Sequence, residues 1–277
     1  MFTLNCKGRL LQAEQPLVMG IINITPDSFF EASRSQSTDK LLRLADKMIG
    51  HGAAMIDIGG QSTRPGSQPV SADDELRRVI DPLRKLAEHF PELVISIDTW
   101  YSKVATEAVS AGAAIINDIS GGSLDPDMIA TAGRLQVPYI LTHTRGTPEN
   151  MQQLTRYKAM VPEMLGYFTE KISLLRMAGV HDIIIDPGFG FAKTIPQNFS
   201  LLRQLPQFGI LGLPVLAGLS RKGTVYKTLH IDVSEALNGS TVLHTMALMN
   251  GANLLRVHDV KEAVEAVRLF TAYQAAG

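Results

Sequence analysis

An α/β chain of eight strands alternating with helices, closed into a barrel, is the architecture this sequence predicts, and three observations predict it. First, eight apolar, β-branched runs each end in polar residues. They end at Asn23 (VMGIIN), Asp57 (AMIDIGG), Asp98 (VISIDT), Asn117 (AIINDI), His143 (YILTHT), Asp186 (IIIDPGFG), Ser220 (VLAGLSRK) and Arg256 with His258 (LLRVHD). Second, helix-length stretches separate these runs, and strand–helix alternation demands a parallel sheet. Third, 277 residues are the size of one such barrel with little left over. The prediction is a single (β/α)8 TIM barrel over residues 1–277 with a short N-terminal hairpin or arm. In that architecture all strand ends open onto one face, and the chemistry sits there. A doubly wound open sheet is the competing arrangement. It is disfavoured because no GxGxxG turn follows the early strand and polar strand ends recur along the whole chain.

The elements follow in order. Phe2 to Gln15 reads as the hairpin or arm, and Leu17–Ile24 as the first barrel strand. The polar stretch Thr25 to Thr38 is long for a strand-to-helix loop, which hints at function. A helix over Asp39–Gly50 leads to a strand at Ala54–Ile58. The loop Gly59–Ser71 is rich in Gly, Ser and Pro, and Ser71-Ala-Asp-Asp-Glu reads as an N-cap with an acidic first turn. Further strands are expected at Leu93–Ile97, Ala113–Asn117, Pro138–Thr142, Ile183–Asp186, Pro214–Gly218 and Asn253–Val257. Helices are expected over Ser102–Ala111 and Val260–Tyr273, and an excursion over Arg145–Thr155.

Composition narrows the class. A hydrophobic fraction of 45% supports a real core, and a net charge of −1 gives no bulk attraction for nucleic acid. The one cysteine, Cys6, allows no internal disulfide and suits a reducing compartment. MFTLNCKGRLLQ lacks a continuous apolar stretch, so no secretory signal is expected, and no run is long enough to cross a membrane. The expectation is a cytoplasmic protein.

Asp98, Asn117 and Asp186 end three different strands. Two carboxylates and a carboxamide at one mouth suit a flat, amine-rich heterocycle, whose guanidine-like edge a carboxylate takes with two parallel hydrogen bonds. Each residue alone could equally cap a strand or helix end. Ser220-Arg221-Lys222 follows the seventh strand, and Arg256 and His258 share one face of the eighth by period-two alternation. Loops after these two strands often build a phosphate site in barrels. With Arg64 these residues could hold a polyanion through charge-assisted bonds. Of the pair Arg221-Lys222, one is expected to point inward and the other to be a surface charge. Gly59 to Gly66 could fold over a phosphate ester but lacks the Lys-Ser/Thr ending of a P-loop. Asn23 to Phe29 mixes oxygen ligands with an aromatic, as a lid or as an ordinary turn around Pro26. His143 is open between an acid–base group and a core histidine, and Asp57 reads as a structural hydrogen-bonding group. No HExxH or Cys/His cluster indicates zinc.

Together MGIINITPDSF, DIGGQSTRPG, SIDT, INDISGG, IIIDPGFGF, GLSRK and RVHD resemble the dihydropteroate synthase family in order and spacing, from the first strand to the eighth. The resemblance implies an enzyme that joins p-aminobenzoate to 6-hydroxymethyl-7,8-dihydropterin pyrophosphate with release of pyrophosphate, in folate biosynthesis. It implies Asp98, Asn117, Asp186 and Lys222 on the pterin, with Asp186 on the guanidine-like edge. Thr63, Arg64, Arg256 and His258 would bind the pyrophosphate, and Asn23 would help ligate Mg²⁺ there. Phe29, Pro65, Phe191, Gly218 and Ser220 would line the p-aminobenzoate pocket. Lys222, Arg256, His258 and Asp98 would carry catalysis, and a homodimer is the family's usual assembly.

Three places depart from the family pattern. GGQST stands where GGEST is common, so Gln61 lacks a carboxylate. FFEASR stands where an Asp-Gly-Gly run follows Ser-Phe, and THTRG where Met-His-Met is usual, making the wall at Thr142 or Thr144 more polar. Two rival functions share a pterin site: a methyltetrahydrofolate-dependent methyltransferase barrel, and a pterin-binding paralogue without turnover. The first would not need the cations Arg64, Lys222, Arg256 and His258, and the second would not keep the whole catalytic set.

Overall fold

The computed structural model describes residues 1–24, 34–61 and 66–276, with the backbone alone at 34–37. Eight parallel strands form one sheet: β3 (Leu17–Asn23), β4 (Met55–Gly59), β5 (Val94–Asp98), β6 (Ile115–Asp118), β7 (Tyr139–Thr142), β8 (Ile183–Asp186), β9 (Leu216–Ala217) and β10 (Leu254–Val257). Their order is β8-β7-β6-β5-β4-β3-β10-β9, and a parallel bridge between Ile185 and Val215 joins the two ends. That closure makes a barrel and excludes the open doubly wound sheet.

The barrel interior is layered. Met19, Met55, Ile115, Ile140, Ile184 and Leu254 belong to one buried cluster, with one or more members on every barrel strand. Two residues farther along each strand the pleat returns the side chain to the same face. On six of the eight strands those positions are polar, namely Asp57, Ser96, Asn117, Thr142, Asp186 and Arg256, all buried except the half-buried Arg256, while β3 and β9 place Ile21 and Gly218 there. The interior thus changes from apolar to mostly polar in one step, and this level is where the site is built.

The floor is sealed from below by the antiparallel hairpin β1 (Phe2–Cys6) and β2 (Arg9–Ala13). Its two-residue turn, Lys7-Gly8, has φ of 55° and 85°, the left-handed pair that matches strand twist. Leu4 and Cys6 pack into the floor cluster, and Asn5 N donates to Asp182 Oδ2 at 2.8 Å.

Outward-facing strand residues such as Ile58, Ile97, Leu141 and Val257 pack against the helices. These helices are α1 (Arg34–Gly50), α2 (Ala72–His89), α3 (Ser102–Ser110), α4 (Met128–Leu135), α5 (Met160–Met177), α6 (Ile195–Arg203), α7 (Gly223–Leu229), α8 (Leu237–Met249) and α9 (Val260–Ala275). In α2, Val79, Leu83 and Leu86 are fully buried at three- and four-residue spacing, each worth about 1.5–3 kcal/mol of transfer free energy. Ser71 caps it as expected, its Oγ accepting from Asp74 N at 3.1 Å. The excursion after β7 contains one 3-10 turn, Met151–Gln153.

Two boundaries differ instructively. Helix α1 begins at Arg34 rather than Asp39, because Ser-Gln-Ser-Thr contains no breaker. Strand β9 shrinks to Leu216–Ala217, because Pro214 has no N–H for a ladder and Gly218 adds no side chain to pack.

Candidate active site

Hydrogen bonds at the polar level skip strands, so they cross the barrel interior. Arg256 on β10 donates through Nε to Asp57 Oδ2 on β4 at 2.6 Å, and through Nη2 to Asp98 Oδ2 on β5 at 2.7 Å. Asn117 on β6 donates through Nδ2 to the same Asp57 Oδ2 at 2.9 Å. Asp57 Oδ1 and Asp98 Oδ1 remain buried without a partner, as do the hydroxyls of Ser96 and Thr142. A buried polar atom left unpaired costs roughly 1–3 kcal/mol, so this level is poised for a ligand or ordered water that supplies partners.

Burial dominates the electrostatics. It pushes the Asp98 carboxyl up to about 7, against the pull of Arg256 and with repulsion from Asp57 and Asp118. Burial also raises Asp186, against Lys222 and the Gly188 N–H. Lys222 is lowered to about 8 by burial, which Asp186 opposes. Burial works to lower Arg256 too, but Asp57 and Asp98 outweigh it and hold the guanidinium charged.

Asp186 ends β8, and its Oδ1 accepts from Gly188 N at 2.8 Å. Lys222 is the N-cap residue just before α7 and donates to the Phe189 carbonyl, and its ammonium lies 4.3 Å over the Phe191 ring. A Cβ placed on Gly218 would stand 3.7 Å from Lys222 Nζ and 4.0 Å from Asp186 Oδ2. Glycine therefore keeps open the space over both groups. Phe191 packs with Trp100, Ile119, Met151 and Ala192, an apolar wall at the same mouth.

Ser220 Oγ accepts from His258 N at 3.1 Å and lies 3.0 Å from His258 Nδ1. Asn23, at the end of β3, is half-buried. Arg221 makes a bidentate pair with Asp259 at 2.8 and 2.9 Å, so of Arg221-Lys222 only Lys222 reaches the site.

His143 is a core residue. Its ring meets Tyr167 edge-on, and burial drives its pKa down to about 2. Asp57 is a hydrogen-bonding group as read from the sequence, yet it lies inside the polar level as the hub for Arg256 and Asn117. Gln61, just after β4, is buried and donates through Nε2 to Glu75 Oε2 at 3.0 Å. Burial raises Glu75 to about 8. Phe29, Thr63, Arg64 and Pro65 lie outside the described residues. Among the described residues no group of three His, Cys, Asp or Glu forms a metal cluster.

Sequence reasoning missed Trp100 and Lys193. Trp100 is the only tryptophan and follows a polar strand end directly, a signal that could have found it. Lys193 lies seven positions past Asp186 with no pattern marking it as buried.

The pterin binding enzyme family matches residues 19–258. The dihydropteroate synthase of Escherichia coli (strain K12) is 41% identical over 268 residues, covering 96% of this chain and 94% of that protein. The chain belongs to the dihydropteroate synthase family. A Yersinia pestis dihydropteroate synthase solved with a sulfonamide drug superposes with a TM-score of 0.92 at 38% identity, covering all of both chains. A Xanthomonas albilineans dihydropteroate synthase in complex with 7,8-dihydropteroate gives 0.89 at 36% identity over 99% of each chain. Against the family pattern, the Thr142 departure lies on the polar level itself. At the Gln61 departure the side chain is buried and binds Glu75.

Proposed function

We propose that this protein condenses 6-hydroxymethyl-7,8-dihydropterin pyrophosphate with p-aminobenzoate, giving 7,8-dihydropteroate and pyrophosphate in folate biosynthesis. The observation that carries the reading is the polar level of the barrel: buried, unpartnered carboxylate oxygens and hydroxyls directly below a cluster of cations. Such a level suits a flat ring rich in N–H, with an anionic group attached at its rim.

Asp186 takes the guanidine-like edge of the pterin, and Asp98 and Asn117 hold the rest of the ring. Lys222 stands over it and offsets charge. Arg256 keeps Asp98 and Asp57 in place with Nε and Nη2, which leaves Nη1 for the pyrophosphate together with His258, Thr63 and Arg64. Phe191, Gly218 and Ser220, with Phe29 and Pro65, form the p-aminobenzoate wall. Fixed cations stabilise charge growing on the departing pyrophosphate, so C–O cleavage runs ahead of attack by the weakly basic aryl amine. Positioning does the remaining work, and no strong general base is needed.

The donor chemistry fits Mg²⁺ at Asn23, a half-buried carboxamide oxygen at the rim. Magnesium commonly takes one or two protein oxygens and completes its shell with phosphates and water. When bound it would neutralise charge on the pyrophosphate.

The reading extends to a cytoplasmic homodimer. A single buried cysteine supports the compartment, and among the described residues no helix is long and apolar enough to cross a membrane. Exposed Val242, Met246 and Met249 on α8 and Leu269 and Tyr273 on α9 support a self-association face.

The test is incubation with both substrates and Mg²⁺. Dihydropteroate and pyrophosphate should form in equal amounts, and a chelator should stop them. Methyl transfer from methyltetrahydrofolate without any condensation would overturn the reading.

A further inference from the structure

Lys193 is a buried cation with no part in the chemistry above. It is 2% exposed and makes no ion pair within 4 Å among the described residues. Its ammonium meets three acceptors instead: the carbonyls of Gly188 and Phe191, each at 3.1 Å, and His143 Nδ1 at 3.2 Å. Three N–H groups meet three acceptors, so the charge is satisfied without a carboxylate.

Both carbonyls belong to the turn that follows Asp186. Gly188, Gly190 and Ala192 alternate through left-handed backbone, with φ of 72°, 82° and 49°. For Ala192 that conformation persists only where the surroundings impose it. The alternation sends the Gly188 and Phe191 carbonyls toward Lys193 and the Phe189 carbonyl toward Lys222. One turn therefore serves two ammonium groups, one in the core and one in the site. It also gives Asp186 the Gly188 N–H and carries the Phe191 ring under Lys222. Its outer side is tied by Gln152 Nε2 to the Gly190 carbonyl at 2.9 Å and by Gly190 N to Asn198 Oδ1 at 2.7 Å. On its inner side a Cβ on Gly188 would stand 2.0 Å from the His143 carbonyl, so the backbone is wedged against the end of β7.

We propose that Lys193 is a positioning residue: its ammonium clamps the Gly188–Ala192 turn, and the clamped turn fixes where the Lys222 ammonium and the Phe191 ring stand. This rests on the reading of Lys222 as a pterin contact. Burial lowers Lys193 to about 7, opposed by Asp186 and reinforced by Lys222 and Arg145. His143 stays neutral and can accept the third bond.

The test is a double-mutant cycle on pterin affinity, measured by calorimetry with 6-hydroxymethylpterin on the full chain. Folding is checked by far-UV circular dichroism. Lys193→Met should weaken binding about tenfold in the wild-type background, or about 1.4 kcal/mol, and less than twofold in a Lys222→Met background. A merely structural role would give the same loss in both. Should Lys193→Met fail to fold, Lys193→Gln enters the same cycle with the same coupling expected, because its amide still donates to one carbonyl. An equal loss in both backgrounds, or no loss from Lys193→Met where Lys222→Met binds weakly, overturns the proposal alone. Unchanged affinity in Lys222→Met removes the reading of Lys222 and the proposal with it.

Discussion

Asp186→Asn separates the charge at this position from its shape. The amide is isosteric, so its Oδ1 can still accept from Gly188 N, now 2.8 Å away, and the turn is preserved. The change falls on Oδ2, the oxygen that shares the open space over Gly218 with Lys222 Nζ. An acceptor there becomes a donor, and a guanidine-like edge meets one acceptor and one opposed N–H. The loss should be roughly 2–4 kcal/mol, the scale for truncating one side of a buried charge-assisted pair. That is about 30- to 1,000-fold in Kd for a pterin. Stability should move the other way. Burial raises the Asp186 pKa in spite of Lys222 and the Gly188 N–H. A raised native pKa means that stability is lost as pH rises through it, and the amide escapes this loss. Titration calorimetry with 6-hydroxymethylpterin and a thermal melt at pH 8 read both effects. Affinity within threefold of the wild type would refute the assignment, whatever the melt shows.

Arg256→Ala strips the buried carboxylates Asp57 and Asp98 of their common cation, a break worth about 3–5 kcal/mol. Asp98 already titrates near 7, so its penalty grows with pH, and Tm should fall more at pH 8 than at pH 5; equal losses at both would contradict the pairing. His258→Ala should weaken pyrophosphate binding about tenfold, or 1.4 kcal/mol, with bare pterin affinity little changed. Ser220→Ala should share that phenotype in milder form if its hydroxyl orients His258, and should raise KM for p-aminobenzoate alone if it is only a pocket wall. Lys222 sits near 8, lowered by burial. Its charge is present below that value, so pterin affinity should fall as pH rises from 7 to 9, and the fall should vanish in Lys222→Met.

The barrel was legible because each apolar run stops where the interior turns polar, and Asp98, Asn117 and Asp186 mark that step in the chain itself. Three strand ends were read one residue short for the same reason. Gly59, Asp98 and Asp118 continue the backbone ladder after the hydrophobic signal has ended. The inward turn of Arg256 was legible from period-two alternation, but its partners were not. Asp57 lies 199 positions away, and no local pattern links them. Asp57 alone reads as a structural hydrogen-bonding group without named partners; only ring closure makes it the hub of the polar level. Lys193 was invisible because its three acceptors are two carbonyls and a ring nitrogen, and sequence patterns record neither. Ser220 was given as a pocket wall only by the family resemblance. The fold brings it against His258, which the spacing did not announce.

The central claim is that the polar level of the barrel is a pterin pocket, and a crystal structure with 6-hydroxymethylpterin and pyrophosphate tests it most directly. The account expects the ring on the floor of the mouth, with two nitrogens of its guanidine-like edge about 2.7–2.9 Å from the Asp186 carboxylate, the range of charge-assisted bonds. Asp98 and Asn117 should reach the rest of the ring, with pyrophosphate beside Arg256 and His258. A pterin bound outside the barrel mouth, or seated there with its guanidine-like edge turned away from Asp186, would contradict it.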